Sequence, residues 1–219
     1  MRLLLIRHGQ TIDNVEGALG TVVPGPGLTE LGFTQAAAVP DALAGERIEA
    51  IAVSTMTRTQ LTAAPLAERL GLELTIVDGL QEISAGDLEG RSDHEAISTY
   101  MRTVFAWWTD FSARVPGGED GTEFYRRYDE AVAGLHARFG DVTVAVFSHG
   151  AAIRTWASWS ARNIDSDFSR EHGLENTGIV VLEGSPAGGW VALEWQGTPV
   201  GGAALEDETA PDPTGEPVD

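Results

Sequence analysis

The sequence contains no cysteine and no lysine in its 219 residues. The absence of cysteine excludes disulfides, thiolate metal sites and every enzyme with a cysteine nucleophile. The absence of lysine excludes the P-loop lysine and Schiff-base chemistry. All fourteen basic residues are arginine. Any anion that this protein binds therefore has to be held by arginine, histidine or backbone N–H groups.

The chain also lacks long hydrophobic runs. No apolar stretch approaches the roughly 18 residues that a membrane-spanning helix needs. The first residues lead directly into a strand pattern, without the basic, apolar and small-residue series of a signal peptide. We therefore expect no membrane association and a location in the cytoplasm. The formal net charge of −19 also argues against a nucleic-acid partner, which would require a basic face.

Cations are absent from the C-terminal end. Residues 197–219 carry six acids and four prolines. Such a segment has little apolar surface to bury, which predicts a disordered tail. We place the folded domain at residues 1–196. The sequence does not indicate an oligomeric state.

The rest of the chain alternates strand and helix patterns. Strands are predicted at 3–6, 48–53, 74–77, 142–147, 179–182 and 190–195. Helices are predicted at about 29–43, 57–70, 121–139 and 151–161, with Pro40 and Pro65 expected to interrupt the first two. This alternation predicts an α/β fold, a three-layer α/β/α sandwich with a mostly parallel central sheet. Residues 91–120 are the least regular and are interpreted as a short lid insertion.

Polar residues follow four of the predicted strands. Arg7-His8 follows the first strand, Arg58 the second, Glu82 the third, and Ser148-His149 the fourth. Ligands of open α/β sheets bind beyond the carboxyl ends of the strands, so we expect these side chains to converge there. Two arginines and two histidines at helix N-termini suit a dianion such as a phosphoryl group. The carboxyl group at the edge of this pocket then suggests an acid catalyst.

The surrounding residues resemble a known family. RHGQTIDN, LTELGFTQA, STMTRTQLTA, LQEISAGDLEG and SHGAAIR match, in order, the conserved blocks of the histidine phosphatase superfamily, in its phosphoglycerate mutase-like branch. The blocks span residues 3–154. The chain departs from the pattern at Ala85 and Leu88, where the family usually has aromatic residues.

The resemblance implies a role for each site residue. His8 is the expected nucleophile, which forms a phosphohistidine, and its Nδ1 is expected to bond a nearby backbone carbonyl. Glu82 is expected to protonate the leaving alcohol and then to activate water. The phosphoryl oxygens are assigned to Arg7, Asn14, Arg58 and His149. Neither a metal nor a cofactor is implied, since these side chains supply the positive charge.

Three functions remain open at this point. The first is a phosphomonoesterase acting on a small phosphorylated metabolite. The second is a cofactor-dependent phosphoglycerate mutase, which uses the same core residues. The third is a catalytically silent sensor of phosphorylated ligands. The short segment 91–120 offers only Arg91, Arg102 and Arg114, fewer basic residues than the mutases carry there, which favours the phosphatase.

Overall fold

The computed structural model describes residues 1–215. These residues form six strands, which are β1 (Arg2–Arg7), β2 (Ala50–Val53), β3 (Leu74–Ile76), β4 (Thr143–Ser148), β5 (Ile179–Ser185) and β6 (Gly189–Gln196). They also form seven α-helices, which are α1 (Ile12–Glu16), α2 (Glu30–Ala42), α3 (Thr57–Leu70), α4 (His94–Ala106), α5 (Gly121–Phe139), α6 (Gly150–Ser160) and α7 (Ser166–Glu171).

The six strands form one sheet in the order β3-β2-β4-β1-β5-β6. The first four strands in that order are parallel, whereas β5 pairs antiparallel with both β1 and β6. The mostly parallel sheet is therefore confirmed, with two antiparallel strands at one edge. The parallel pairing matters for function because it brings the carboxyl ends of β1, β2 and β4 to one edge.

Alternate residues of β1 face opposite sides of this sheet. Leu3 and Leu5 belong to the larger core cluster, which α4, α5 and α6 cover. Leu4 and Ile6 belong to the smaller cluster beneath α2 and α3. A strand buried on both faces reads as a continuous apolar run, which explains the sequence of β1. The three-layer arrangement is confirmed.

Two helices continue past the prolines that were expected to interrupt them. Pro40 lies inside α2 and Pro65 inside α3. The N-terminus of α2 is capped by the Thr29 hydroxyl, which accepts a hydrogen bond from the Gly32 N–H. Helix α3 ends at Gly71, whose φ of 63° suits a glycine C-cap.

The segment 91–120 is more regular than its sequence indicates. It contains α4, which is capped by Asp93 and buries Tyr100 and Val104. Trp107 follows this helix and is buried in the larger core cluster. The segment therefore contributes one helix and buried side chains to the core, and its role as a lid stays a prediction.

The C-terminal segment also differs from its prediction. Disorder was expected from residue 197 onward, yet residues 203–205 form a 3₁₀ helix and Asp212 is only 4% exposed. The reason is a buried partner, because Asp212 pairs with the Arg7 guanidinium. Composition treats acids as solvated and cannot reveal such a partner. Residues 216–219 of the predicted tail lie outside the described residues.

Within residues 1–215, no helix combines the length and the apolar character that crossing a membrane requires.

A close backbone contact beside the β1 end generates the first prediction. A Cβ atom at Gly32 would collide with the Gln10 carbonyl oxygen, whereas a Cβ atom at Gly134, inside α5, would meet nothing. Gly32→Ala should lower the free energy of unfolding by about 1–3 kcal/mol, since two backbones must separate. Gly134→Ala should raise it by about 0.5–1 kcal/mol through helix propensity. Chemical denaturation measures both, and equal effects would contradict the close approach.

Candidate active site

The two predicted histidines meet at the carboxyl edge of the sheet. Strands β1 and β4 are adjacent and parallel, with Arg7 in register with Ser148. The next residues, His8 and His149, therefore lie side by side, with ring centroids 5.2 Å apart. Both rings are buried.

His8 is held in one orientation by its own loop. Its Nδ1 lies 2.9 Å from the Gly9 carbonyl oxygen, as the resemblance implied. A neutral ring that donates from Nδ1 leaves the Nε2 lone pair free. Burial lowers the pKa of His8 well below its usual value, and the Arg58 and Arg7 charges lower it further. The ring is therefore neutral near pH 7, the form in which imidazole is nucleophilic.

Arg58 reaches the histidines from the first turn of α3. Its Nε donates to His149 Nδ1 at 3.2 Å, and its Nη2 donates to the Gly20 carbonyl at 2.9 Å. Burial lowers the pKa of Arg58 to about 10, which leaves the guanidinium charged at neutral pH. Its Nη1 is buried and has no hydrogen-bond partner within the described part of the chain.

His149 is fixed by a side chain that the sequence analysis did not single out. The Ser54 hydroxyl lies 2.8 Å from His149 Nε2 and also 3.0 Å from the Thr59 hydroxyl. Since Nδ1 accepts from Arg58, the proton of the neutral ring is on Nε2. Burial is the main cause that lowers the pKa of His149 well below its usual value. Ser54 is the first residue after β2, where the rule for strand ends could have found it.

Glu82 lies at the N-terminus of α6. One carboxylate oxygen accepts from the Ala152 N–H at 2.8 Å and the other from the Ala151 N–H at 3.1 Å. The sequence analysis expected the ligand's phosphoryl group to use such helix N-termini, but here the carboxylate occupies these two donors. Burial raises the pKa of Glu82, although these N–H groups and Arg58 act in the opposite direction. Protonation of Glu82 is therefore easier than for a carboxyl group in water.

The loop that carries Glu82 is clamped by residues that the sequence analysis missed. Arg127 of α5 donates to the carbonyl oxygens of Gly79, Gln81 and Glu82 at 2.8–3.0 Å. Its partner Glu119 lies 2.6 Å from Arg127 Nη2. Arg127 follows another arginine in an amphipathic helix, so its sequence did not distinguish it from a surface cation.

Glu119 and Tyr100 complete this clamp. Glu119 accepts from the Ser84 N–H at 2.9 Å, and the Tyr100 hydroxyl donates to the Ile83 carbonyl at 2.8 Å. Both residues lie within the segment 91–120. That segment therefore positions the Glu82 loop, which is a different role from covering the substrate.

The remaining two predicted residues, Asn14 and Arg7, also reach the site. The Asn14 carbonyl oxygen accepts from the Thr11 N–H in the capping box of α1, so its amide N–H₂ faces the other way. That amide lies 3.2 Å from Asp212 Oδ1. The Arg7 guanidinium is fully buried, and its Nη1 donates to the Leu174 carbonyl at 2.8 Å.

The six predicted site residues thus converge on one buried, cationic site. His8, Asn14, Arg58 and Glu82 line a single small cavity. Arg7 Nε and Arg58 Nη1 are buried donors with no hydrogen-bond partner among the described residues. Unpaired buried donors on cations are costly, so each of these two donors is suited to an acceptor such as the oxygen of an anion. Residues 1–215 contain no group of three or more potential metal-ligating side chains.

Comparison with known families matches residues 3–198 to the histidine phosphatase superfamily, branch 1. The chain belongs to this family. The match ends two residues after the domain boundary expected from the sequence.

Individual relatives support the same assignment. The chain is 37% identical over 219 residues to the PE-PGRS family protein PE_PGRS11 of Mycobacterium tuberculosis, covering 91% of this chain but only 37% of that relative. It is 31% identical over 150 residues to the adenosylcobalamin/alpha-ribazole phosphatase of Escherichia coli, covering 68% of this chain and 73% of that protein.

Among solved structures, a mycobacterial glucosyl-3-phosphoglycerate phosphatase is similar to this chain. The two superpose with a TM-score of 0.75 at 26% identity, covering 90% of this chain and 99% of the other. The similarity therefore extends over nine-tenths of this chain.

The depressed pKa of His8 generates a prediction for stability. Below pH 6.5 the unfolded chain binds a proton at this histidine, whereas the folded protein does not. The free energy of unfolding therefore falls as pH decreases from 6.5 toward the lower folded-state pKa, by at most about 1.4 kcal/mol per pH unit for one group. His8→Gln should remove one histidine's share of this slope, as measured by urea denaturation between pH 5 and 7.5.

The exposed His94 provides the matched control. His94→Gln should leave the slope closer to that of the wild type than His8→Gln does. A slope that is unchanged in His8→Gln would show that His8 is not held neutral by its surroundings.

Proposed function

We propose that this protein is a metal-independent phosphomonoesterase that acts on a small phosphorylated metabolite through a phosphohistidine at His8. The observation that carries this proposal is a neutral imidazole with a free Nε2, buried beside two guanidinium groups, each of which has an N–H without a partner among residues 1–215. A nucleophile of this kind needs no deprotonation, and the cations favour a phosphoryl group next to it.

In the first step, the Nε2 lone pair of His8 attacks phosphorus and the bond from phosphorus to the ester oxygen breaks. The leaving alkoxide needs a proton, which protonated Glu82 supplies. Both side chains line the same cavity, and burial favours the protonated carboxyl group. A phosphoryl dianion beside Glu82 raises this pKa further, so that the acid form is present when substrate is bound.

In the second step, the Glu82 carboxylate removes a proton from water. The water oxygen attacks phosphorus, the bond from phosphorus to Nε2 breaks, and inorganic phosphate and neutral His8 result. The same carboxyl group thus serves first as an acid and then as a base, and the proton taken from water restores its acid form.

The phosphoryl oxygens are assigned to Arg7, Asn14, Arg58 and His149. Planar guanidinium groups donate two hydrogen bonds at once, which suits the equatorial oxygens of the transition state. In the structure His149 accepts at Nδ1. A bound dianion favours protonation of that nitrogen and converts it from an acceptor into a donor.

Relatives support the substrate class. Two of the similar proteins are named as phosphatases of small metabolites, an alpha-ribazole phosphatase and a glucosyl-3-phosphoglycerate phosphatase. The cytoplasmic location stays a prediction from the sequence.

A labelling experiment tests the nucleophile and separates the phosphatase from the sensor. Brief incubation with a ³²P-labelled phosphomonoester, followed by denaturation at alkaline pH, should trap one acid-labile phosphoryl group per chain. His8→Ala should abolish the label, because no other imidazole has a free nitrogen at the same place, and His94→Ala should retain it. Absence of label and of turnover over a broad panel of phosphomonoesters would favour the sensor.

The mutase alternative is tested with its own substrates. Incubation with 3-phosphoglycerate and 2,3-bisphosphoglycerate should release inorganic phosphate or give no reaction. Rapid formation of 2-phosphoglycerate without free phosphate would replace the phosphatase by the mutase.

The role of Glu82 predicts a dependence on the leaving group. Glu82→Gln should slow turnover of alkyl phosphates about 10²–10⁴-fold, the usual contribution of a general acid, and slow p-nitrophenyl phosphate less in the phosphorylation step. Single-turnover kinetics with the two substrates measure this difference. The exposed Glu95 of α4 provides the control, since Glu95→Gln removes a charge outside the site. Equal losses for both substrates would remove Glu82 from the acid role.

A further inference from the structure

The C-terminal segment, residues 206–215, carries a carboxylate into the phosphoryl site. Asp212 Oδ2 lies 2.6 Å from Arg7 Nη1, and Asp212 Oδ1 accepts from Arg7 Nη2 at 2.8 Å. The same Oδ1 lies 3.2 Å from the Asn14 amide nitrogen. Two of the four side chains assigned to the phosphoryl oxygens are therefore already bound to an anion of this chain.

Thr214 takes part in the same contact. Its hydroxyl accepts from Arg7 Nη2 at 3.1 Å, and the residue lines the cavity beside His8. With Leu174 and Asp212 at Nη1, both terminal nitrogens of Arg7 are occupied. With respect to residues 1–215, Nε of this guanidinium has no partner and is left for a phosphoryl oxygen.

The segment is held at both sides of the site. Asp207 accepts from the Gln10 side-chain amide at 2.9 Å, and the Gly215 carbonyl accepts from the Leu174 N–H at 2.7 Å. The contact with Gln10 is partly exposed, whereas those with Arg7 are buried. The segment therefore crosses the site as a strap that is held at Asp207 and at Gly215.

The strapped site is too small for its substrate. The cavity that His8, Glu82 and Thr214 line has a volume of about 10 Å³, and His8 is only 3% exposed. That volume is roughly the minimum that one water molecule needs. A phosphoryl group is larger than a water molecule, so displacement of the strap would widen the cavity for it.

We propose that residues 206–215 are an internal competitor for the phosphoryl pocket, in which the Asp212 carboxylate takes the place of two substrate oxygens on Arg7 and Asn14. This rests on the proposed function for the identity of the pocket. The ligand class of the opened site is a phosphate monoester or inorganic phosphate, which carries more negative charge than the carboxylate that it displaces. The segment and the cationic pocket are complementary in charge, because residues 197–219 contain six acids and no cation.

The contacts favour competition over a role in orienting Arg7. The Leu174 carbonyl already holds Nη1 from outside the segment. Asp212 and Thr214 bind donors that a phosphoryl group would use, and Asp212 also engages Asn14, which α1 already orients through its capping box. A substrate that displaces the strap finds both donors in place.

The test compares Asp212→Asn with Glu208→Gln in the full-length protein. Both substitutions remove one negative charge from the segment, but Glu208 is exposed and, within residues 1–215, is not among those that line the cavity beside His8. Isothermal titration with inorganic phosphate measures the Kd, and p-nitrophenyl phosphate gives KM and kcat. If the strap occupies the pocket about nine-tenths of the time, releasing it should lower Kd and KM about tenfold, with kcat nearly unchanged. Glu208→Gln should match the wild type.

A second variant loosens the strap without touching Arg7. Asp207→Ala removes the contact with Gln10 and should shift Kd in the same direction by a smaller factor. This measurement stands if Asp212→Asn fails to fold. A role of the segment in orienting Arg7 predicts no tightening in Asp207→Ala.

The opposite results would overturn the proposal. A higher Kd for phosphate together with a lower kcat in Asp212→Asn would make Asp212 a positioning residue for Arg7. An unchanged Kd with a lower melting temperature would make the segment structural only. Phosphate binding needs no turnover. The Kd for phosphate therefore tests the strap, whereas turnover of phosphomonoesters tests the proposed function.

Discussion

Burial of guanidinium groups beside two histidines is the constraint on which the site depends. Arg7 and Arg58 are 0% and 3% exposed, so water compensates neither charge. A cation removed from water is stable only when anions and hydrogen-bond acceptors surround it. Glu82 and Asp212 are among the carboxylates that supply negative charge to these cations, and two of their N–H groups still have no partner in the described part of the chain. The phosphoryl group of the proposed substrate would complete this arrangement by bringing charge and acceptors together.

The same burial gives each titratable group the protonation state that its role requires. Loss of solvent lowers the pKa of His8 and raises the pKa of Glu82, and the nearby arginines add to the first shift while they oppose the second. One environment thus yields a neutral imidazole and a carboxyl group that protonates readily, as the proposed mechanism requires. Pairs of groups whose pKa values are displaced in opposite directions are typical of acid–base sites. The Glu82 loop keeps its position because Arg127 and Glu119 bind its backbone.

Much of the fold was predictable because its patterns are local. The apolar run of β1, the helical spacing of α5 and the order of the motifs indicated the sheet, its covering helices and the converging site residues. Other features were not predictable because they depend on distant contacts. The sequence of helix α4 looked irregular because it does not show which of its aromatic residues pack in the core. Arg127 resembled any surface arginine of an amphipathic helix. The acidic composition of the C-terminal segment predicted disorder. Composition does not show that the Asp212 carboxylate pairs with the buried guanidinium of Arg7.

By itself, the sequence determined the fold class, the family and the residues that form the cationic pocket. The fold class follows from short-range periodicity, whereas the family and the full set of pocket residues follow from the resemblance of the ordered motifs to a known family; neither needs knowledge of the folded chain. Only the tertiary structure decided how those residues are partnered. Asp212 lies 205 positions from Arg7 in the chain, and Glu82 lies 69 and 70 positions from the two N–H groups that it accepts. Contacts over such separations arise when the sheet brings the ends of its strands together. The charged side chains there become buried, and burial then decides which of them pair.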